Sequence, residues 1–198
     1  MRRFFAFIAL AFLGGCAAPT QSTHASDDLD PVTGQAFTLE VSSNTLAEDL
    51  VMPEATVFNG FGCTGGNVSP EISWSEGPEG TQSYLVMLYD PDAPTGVGFH
   101  HWWVANVPPS TLSLPEGFGT DAEASTALGT VQGRMDYGGE GYGGPCPPMG
   151  RTHRYQFYVW ALDVASLPLE AGTSPVVARF MVGQHALAVG RLVATYGR

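Results

Sequence analysis

YLVMLYDPDAP, residues 84–94, joins an uninterrupted apolar run to an abrupt acidic turn, and this stretch says most about the fold. The run lacks alternation of apolar and polar residues, which favours a central strand buried on both faces. Two further runs share this character, WWVANV at residues 102–107 and YQFYVWAL at residues 155–162. Three such runs predict a domain built around a sheet.

Shorter segments extend the β-rich pattern. Phe37, Leu39 and Val41 alternate with polar residues, as in a half-buried strand. Short strands are also predicted at residues 56–58 and 70–74. The composition agrees, because 25 Gly and 15 Pro favour turns and short strands over long helices.

Two regions depart from the strand pattern. Residues 108–133 are polar and weakly patterned, and we expect mostly loop there. Residues 175–181 and 183–196 have helix-like spacing. Val182, Ala186, Val189, Val193 and Tyr196 recur at intervals of three and four residues. The pattern predicts a mainly β domain with a C-terminal helical cap.

The N-terminal segment is predicted to be an export signal. Two arginines precede an apolar run over residues 4–13, which is too short to span a bilayer comfortably. LGGC at residues 13–16 resembles the lipobox of bacterial lipoproteins, in which the cysteine receives a diacylglycerol group. We therefore expect a signal peptide over residues 1–15 and a lipid on Cys16. An ordinary secretory signal with a chance cysteine is the alternative.

The segment after the lipidation motif is expected to be a flexible tether over residues 16–35, since it is polar and lacks periodicity. Residues 36–198 then form one domain. By resemblance to enterobacterial lipoproteins, Ala17 indicates the outer membrane. The predicted location is the bacterial cell envelope, lipid-anchored and facing the periplasm.

The charge of the chain argues against some partners. The formal net charge is −11 and all 8 basic residues are arginines. Such a surface repels nucleic acid and anionic membrane faces. An anion would have to be bound by local donors, because the field of the whole protein opposes it.

Two cysteines remain if Cys16 carries lipid. Cys63 lies in FGCTGG and Cys146 in GGPCPP, and both are Gly-rich loops. In an oxidising envelope such loops can approach closely enough for a disulfide, so we predict a Cys63–Cys146 bridge. Two buried free thiols are the alternative.

Polar clusters interrupt the strands at three places. Asp90 and Asp92 stand on a proline-stiffened turn directly after the first apolar run. His100 and His101 open the second run, and because adjacent residues of a strand face opposite ways, both cannot line one pocket. Each cluster also has a purely structural interpretation, as a common turn or a satisfied core histidine.

The third cluster is GGPCPPMGRTHRY at residues 143–155. Its glycines and prolines predict a rigid loop with exposed backbone amides, which can cradle an oxyanion. His153 and Tyr155 are two residues apart at the start of a strand and therefore share a face. A structural loop with solvated basic residues is the alternative.

Taken together, these clusters resemble the phosphatidylethanolamine-binding protein family, including its bacterial Raf kinase inhibitor-like branch. The resemblance covers roughly residues 37–196 and depends on four motifs. They are GCTGGNVSPEISW (62–74), DPDAPTG (90–96), HHWWVANVP (100–108) and GYGGPCPPMGRTHRYQFYVWALD (141–163). It implies a large antiparallel sheet packed on a smaller one, with peripheral helices and an anion pocket at one end of the large sheet.

The resemblance also implies the ligand-binding residues, which are Asp90, Asp92, His101, Cys146, His153 and Tyr155. Phe99 stands where relatives can have Trp. Cys146 departs from the Gly or Ala often found before the Pro-Pro pair, so a side chain or a disulfide borders the pocket. An aspartate beside a histidine favours the imidazolium, which donates strong hydrogen bonds to phosphate. We expect phosphate affinity to fall as pH rises through the histidine titration range.

Three function classes follow. The first is a binding protein for phosphate-type anions, such as a phospholipid head group or phospho-metabolite. The second is a regulator or inhibitor of an envelope protease or other protein. The third is an enzyme or metal site, which no nucleophile, HExxH or CxxC motif supports. We therefore expect a non-enzymatic binding protein with no cofactor and no metal.

Overall fold

A computed structural model describes residues 29–46 and 48–198. Its strands are β1 (Phe37–Leu39), β2 (Val41–Ser42), β3 (Asn59–Gly60), β4 (Cys63–Thr64), β5 (Ile72–Trp74), β6 (Ser83–Asp90), β7 (Phe99–Val107), β8 (Ser113–Leu114), β9 (Val131–Gln132), β10 (Thr152–Leu162) and β11 (Ala186–Gly197). Its α-helices are α1 (Ala122–Leu128) and α2 (Pro175–His185), and 3₁₀ turns lie at Glu54–Thr56 and Phe118–Thr120. The predicted signal peptide, the lipidation site and the tether up to residue 28 lie outside the described residues.

Six strands form the large sheet, in the order β1-β11-β10-β6-β7-β9. Every pair in it is antiparallel except β1 with β11, which run parallel. The three apolar runs of the sequence are the adjacent central strands β10, β6 and β7, as predicted. A smaller sheet contains β2, β5 and β8, and β3 pairs with β4 in a hairpin.

Apolar layers cover both faces of the large sheet, which explains why its central strands show no alternation. On β6, Val86 and Leu88 face the layer that holds the smaller sheet, whereas Leu85 and Met87 face the layer that holds α2. All four side chains are fully buried. Burial of one such side chain contributes about 1.5–3 kcal/mol, so the two layers together fix the sheet.

Two sequence predictions about helices were wrong. Residues 186–197 form strand β11, which is hydrogen-bonded to β1 and β10 and covered on both faces. Apolar residues on both faces produce the spacing that indicated a helix, and β-branched valines favour a strand. The region predicted to be loop contains α1, which Asp121 caps by accepting from Ala124 N at 2.9 Å and which Gly129 ends at a φ of +76°.

The folded region begins before the predicted boundary at residue 36. Leu29 pairs with Ala36 across a turn, and Asp30 is buried within it. The Asp30 carboxylate accepts a 2.9 Å hydrogen bond from Trp160 Nε1. Residues 29–35 are therefore packed on the domain instead of belonging to a free tether. Among the described helices, none is long and apolar enough to cross a membrane.

Candidate functional site

A cavity of about 270 Å³ lies where β6 ends and β7 and β10 begin. Antiparallel pairing brings these three positions to the same end of the large sheet. The cavity is lined by Phe61, Asp90, Ala93, Pro94, Thr95, Phe99, His101, Asp136, Tyr137, Cys146, Pro147, Pro148, His153 and Tyr155. Five of the six predicted ligand-binding residues are in this lining.

Asp90 and His153 form a buried pair in the cavity wall. His153 Nδ1 lies 2.7 Å from Asp90 Oδ2, and Asp90 Oδ1 accepts from Asp92 N at 2.8 Å. Both carboxylate oxygens are thus engaged in holding the turn and the imidazole. The pairing leaves Nε2 as the ring nitrogen of His153 that can serve a ligand.

His101 is held by the backbone of the Gly-Pro loop. Its Nδ1 donates to Gly143 O at 2.7 Å and lies 3.1 Å from Gly144 O. A Cβ atom on Gly144 would lie 1.9 Å from Thr56 O, so the close approach of this loop requires glycine. Nothing within the described residues pairs with His101 Nε2, although the atom is buried.

Burial determines the protonation state of His101. Removal from water lowers the pKa of its imidazole to about 4, against weaker opposing contributions from carbonyl hydrogen bonds and from Asp90 and Asp136. His101 is therefore neutral at neutral pH, in contrast to the imidazolium expected from the sequence. The histidine that has an aspartate beside it is His153, whose partner is Asp90.

The Tyr155 hydroxyl is the second unpaired polar group of the cavity. It is buried, and it too lacks a hydrogen-bond partner in the described part of the chain. Burial, reinforced by the negative charge of Asp90, raises the pKa of Tyr155 well above its usual value, so the phenol keeps its proton. Its ring meets His101 edge-on, with centroids 5.3 Å apart.

Another wall of the cavity is aromatic, and of its residues only Phe99 was named from the sequence. Tyr137 stacks on Phe58 with centroids 3.9 Å apart and contacts Phe61 and Phe99. Its hydroxyl donates to Gly144 O at 3.2 Å, which ties this wall to the loop that holds His101. In the sequence, Tyr137 is marked only as an aromatic residue before Gly138, in a segment that lacks a strand pattern.

Asp92 is the predicted ligand-binding residue that does not line the cavity. Both of its oxygens accept from the Arg154 guanidinium, at 2.9 and 2.8 Å, and Arg154 N adds a third bond at 2.9 Å. These bonds hold the pKa of the Asp92 carboxyl below its usual value. Asp92 therefore fastens the DPDAP turn to the start of β10, outside the cavity.

His100 lies on the opposite face from His101, as predicted from strand geometry. Its Nδ1 lies 3.0 Å from Asp136 Oδ2, which also accepts from His100 N at 2.7 Å. Arg179 NH1 approaches its other ring nitrogen at 3.4 Å. His100 is thus a satisfied structural residue that contacts the cavity only through Asp136.

The structure contains the predicted Cys63–Cys146 disulfide, with Cα atoms 6.0 Å apart. It joins the β3–β4 hairpin, which carries Phe61, to the Pro147-Pro148 segment of the cavity wall. The bridge therefore fixes two sides of the cavity relative to each other. Within residues 29–46 and 48–198, no three His, Cys, Asp or Glu side chains are placed to hold a metal ion.

A second cavity, of about 490 Å³, lies between α1 and residues 169–171. Hydroxyl groups of Ser125, Thr126 and Thr130 line it. Its larger volume is no evidence of function, since it contains neither of the unpaired atoms of His101 and Tyr155. The smaller cavity at the sheet end is the candidate site.

Comparison with known proteins gives one consistent result. A family model described as phosphatidylethanolamine-binding protein matches residues 42–197. Two UPF0098 proteins of Escherichia coli are similar along most of the chain. YbcL is 41% identical over 165 residues, covering 83% of this chain and 90% of its own. YbhB is 43% identical over 158 residues, covering 80% and 99%.

Two further matches bear on fold and location. The crystal structure of Escherichia coli YbcL, described as a new member of the mammalian PEBP family, superposes with a TM-score of 0.77 over 81% of this chain and 98% of YbcL. A Mycobacterium tuberculosis protein named as a candidate lipoprotein, LppC, is 32% identical over 192 residues, covering 93% of this chain and 89% of its own.

Proposed function

Because the chain belongs to the phosphatidylethanolamine-binding protein family, as its motifs predicted, we propose that it binds a small phosphoryl-bearing ligand in the cavity at the sheet end. The ligand is a phospholipid head group or a phospho-metabolite. In this proposal Tyr155, His101 and His153 make the polar contacts, and Asp90 orients His153.

The observation that carries the proposal is that two of the four buried side-chain atoms without a partner among the described residues, His101 Nε2 and Tyr155 OH, lie in one cavity, whereas the other two, on Gln35 and Trp74, lie outside its lining. Leaving such an atom unsatisfied costs about 1–3 kcal/mol. A phosphoryl group offers several oxygens within a small volume, so that one can accept from Tyr155 OH and another, if it carries a proton, can donate to His101 Nε2. Binding would therefore recover a cost that folding alone leaves in place.

The rest of the lining suits a ligand of mixed character. Phe61, Phe99 and Tyr137 give an apolar and aromatic wall, whereas the polar groups are grouped around Asp90. Such a cavity fits a phosphoryl group that carries a short organic substituent better than it fits a bare inorganic ion. The same wall excludes water from the polar contacts and so strengthens them.

Location in the cell envelope is part of the proposal. LGGC at residues 13–16 supports lipidation at Cys16, and the similarity to LppC supports the same assignment. Metabolic labelling with an alkyne fatty acid tests it, with Cys16→Ser as the control. Label on the Cys16→Ser variant, or none on the wild-type chain, would contradict lipidation.

A second candidate function is regulation of an envelope protein such as a protease. Three large apolar side chains in or next to the lining segments are exposed: Phe61, in the lining, at 77%, Met149, which follows Pro148, at 76%, and Val97, between Thr95 and Phe99, at 78%. Exposed apolar side chains of this kind favour contact with a protein surface. Crosslinking from a photoreactive residue placed at Met149, in cell envelopes, distinguishes a protein client from a small ligand alone.

The direct test of ligand binding is calorimetry on the mature full-length protein in non-ionic detergent, with O-phosphoethanolamine as the probe. Tyr155→Phe removes a donor to a charged group, worth about 1.5–3 kcal/mol, so its Kd should rise roughly 10- to 150-fold. Tyr158→Phe is the matched control, since Tyr158 is buried on the other face of β10. Equal affinity of wild type and Tyr155→Phe would contradict the proposal.

A further inference from the structure

We propose that the cavity accepts singly protonated phosphomonoesters, whose P–OH group donates to His101 Nε2, and that it discriminates against phosphodiesters. The inference rests on the proposed function, because it specifies which phosphoryl compounds the same cavity takes. It concerns one chemical class, which a soluble phospho-metabolite, a free head group such as O-phosphoethanolamine or a lipid with a terminal phosphate could supply, whereas a head group still attached to its lipid is a phosphodiester.

The hydrogen-bond pattern of His101 is the first step. Carbonyl oxygens accept and never donate, so the contacts of Nδ1 with Gly143 O and Gly144 O require a hydrogen on Nδ1. In a neutral ring the other nitrogen, Nε2, then carries a lone pair and no hydrogen. A ligand atom that pairs with Nε2 must therefore be a donor.

The surroundings of His101 keep its ring neutral. The titratable groups that face it or share its cavity are Asp90 at the end of β6, Asp136 and Tyr137 after β9, and His153 and Tyr155 on β10. The two carboxylates favour the cation, but loss of water outweighs them, and the pKa of His101 stays at about 4. The ring is thus an acceptor throughout the neutral pH range.

The charge of the cavity lining is an independent reason to expect a monoanionic ligand. Asp90 and Asp136 both line the cavity, whereas the described residues in that lining include no Arg. A phosphoryl dianion would bring a second negative charge next to these carboxylates, and like charges at close range disfavour each other. A monoanion halves that repulsion and supplies the missing donor.

Ligand chemistry then separates two classes. A phosphomonoester has a second pKa of about 6, so near neutral pH part of it carries one P–OH group, and its other oxygens can accept from Tyr155. A phosphodiester is a monoanion without a P–OH group. It would place an anionic oxygen against the lone pair of His101 Nε2 and leave that atom unsatisfied.

The experiment compares methyl phosphate with dimethyl phosphate by calorimetry on the mature protein in detergent, at pH 6 and pH 8. Methyl phosphate should bind roughly 50-fold more weakly at pH 8, because the fraction that carries a proton falls by that factor for a pKa of about 6. Dimethyl phosphate should bind at least about tenfold more weakly than methyl phosphate at pH 6, the loss of one hydrogen bond.

The outcomes distinguish this inference from the proposed function. If both compounds bind alike at both pH values, the protonation requirement is wrong and phosphoryl binding stands. If both bind and weaken equally at pH 8, His101 acts as a cationic donor and the inference is also wrong. If neither these compounds nor O-phosphoethanolamine binds, the proposed function itself fails.

A variant of His101 adds a second readout. In His101→Asn the amide can keep the bond to Gly143 O but offers nothing at the position of Nε2, so the preference for methyl over dimethyl phosphate should disappear. His185→Asn is the control, because His185 is bonded to Asp163 away from the cavity and the preference should persist. Retention of the preference in His101→Asn would overturn the assignment of the acceptor.

Two further probes identify the source of the phosphomonoester. Glycerol 3-phosphate represents soluble metabolites, and dihexanoyl phosphatidic acid represents a lipid with a terminal phosphate. If one of these probes binds more tightly than the other at pH 6, the result supports the inference and identifies the source of the phosphomonoester. Absence of binding by both, with dimethyl phosphate still bound, would contradict it.

Discussion

Tyr155 and Tyr158 are both buried on strand β10, three residues apart, yet they occupy opposite faces of the large sheet with opposite results. On the α2 side the Tyr158 hydroxyl donates to Gln156 Oε1 at 2.5 Å, and Trp160 donates to Asp30. At the cavity the Tyr155 hydroxyl has no partner among the residues described. Folding alone satisfies the polar groups of Tyr158 and Trp160, whereas the proposed function assigns the partner of Tyr155 to a ligand.

The two tyrosines are of the same residue type and differ in whether the hydroxyl group has a hydrogen-bond partner. Both faces contain buried tyrosines beside a carboxylate, and burial raises the pKa of both tyrosines. A buried polar atom without a partner lowers stability, so it persists where another role maintains it. Substitutions on the α2 face should therefore mainly lower stability, whereas substitutions at the cavity should mainly weaken ligand binding.

The largest expected effect is on the completed face. Trp160→Ala should lower the free energy of unfolding by about 3–5 kcal/mol, because it removes a fully buried ring and leaves the Asp30 carboxylate without its indole donor. Urea denaturation followed by circular dichroism measures it. A loss below about 1 kcal/mol would show that this face is not the stabilising one.

The next effect belongs to the cavity and depends on pH. The pKa of His101 in the folded protein is about 4, against 6.5 for an ordinary histidine. The unfolded chain therefore binds a proton that the folded chain does not, and stability falls as pH drops from about 7 towards 4, by about 3 kcal/mol from this residue. Urea denaturation at both pH values measures the loss.

Comparison with a variant isolates this contribution from other acid effects. His101→Asn should show the smaller loss of stability between the two pH values, because its side chain does not titrate. His185→Asn is the control and should behave like the wild type, since His185 is partly exposed and away from the cavity. Identical pH dependence in all three proteins would mean that His101 is not held neutral by burial.

The smallest expected effect is a change in unfolding free energy whose sign differs between a variant on the α2 face and one at the cavity. Tyr158→Phe should cost about 1 kcal/mol, since Gln156 loses its partner. Tyr155→Phe should leave the stability of the ligand-free protein unchanged or raise it by up to about 1 kcal/mol, since it deletes an unpaired hydroxyl. Parallel thermal and urea unfolding of both variants measures the two signs, and equal losses would remove the contrast.

The sequence predicted those parts of the fold that depend on contiguous residues. Central strands β6, β7 and β10 were evident because both faces are covered and the apolar runs are unbroken. Strand β11 was mistaken for a helix for a related reason, since apolar residues on two faces mimic helical spacing. Helix α1 was missed although Asp121 and Gly129 mark its two ends.

The candidate site was predicted where its residues lie at strand ends, as for Asp90, His101 and His153. Tyr137 and its stacking on Phe58 were missed, because that contact joins two loops whose meeting depends on tertiary packing. The neutrality of His101 was missed for the same reason. It follows from burial, which outweighs the opposing effect of carbonyl partners 42 and 43 residues away, and no local pattern reveals that burial.

The central claim is that the unpaired atoms at the end of the large sheet form a ligand site. The most direct test is the side-chain ¹⁵N NMR spectrum of the histidines in the mature protein at pH 7, with and without methyl phosphate. We expect a free Nε2 signal of neutral His101 that shifts on titration as this nitrogen gains a hydrogen-bond donor, while the His185 signals stay unchanged. A His101 signal that is unaffected by saturating methyl phosphate would contradict it.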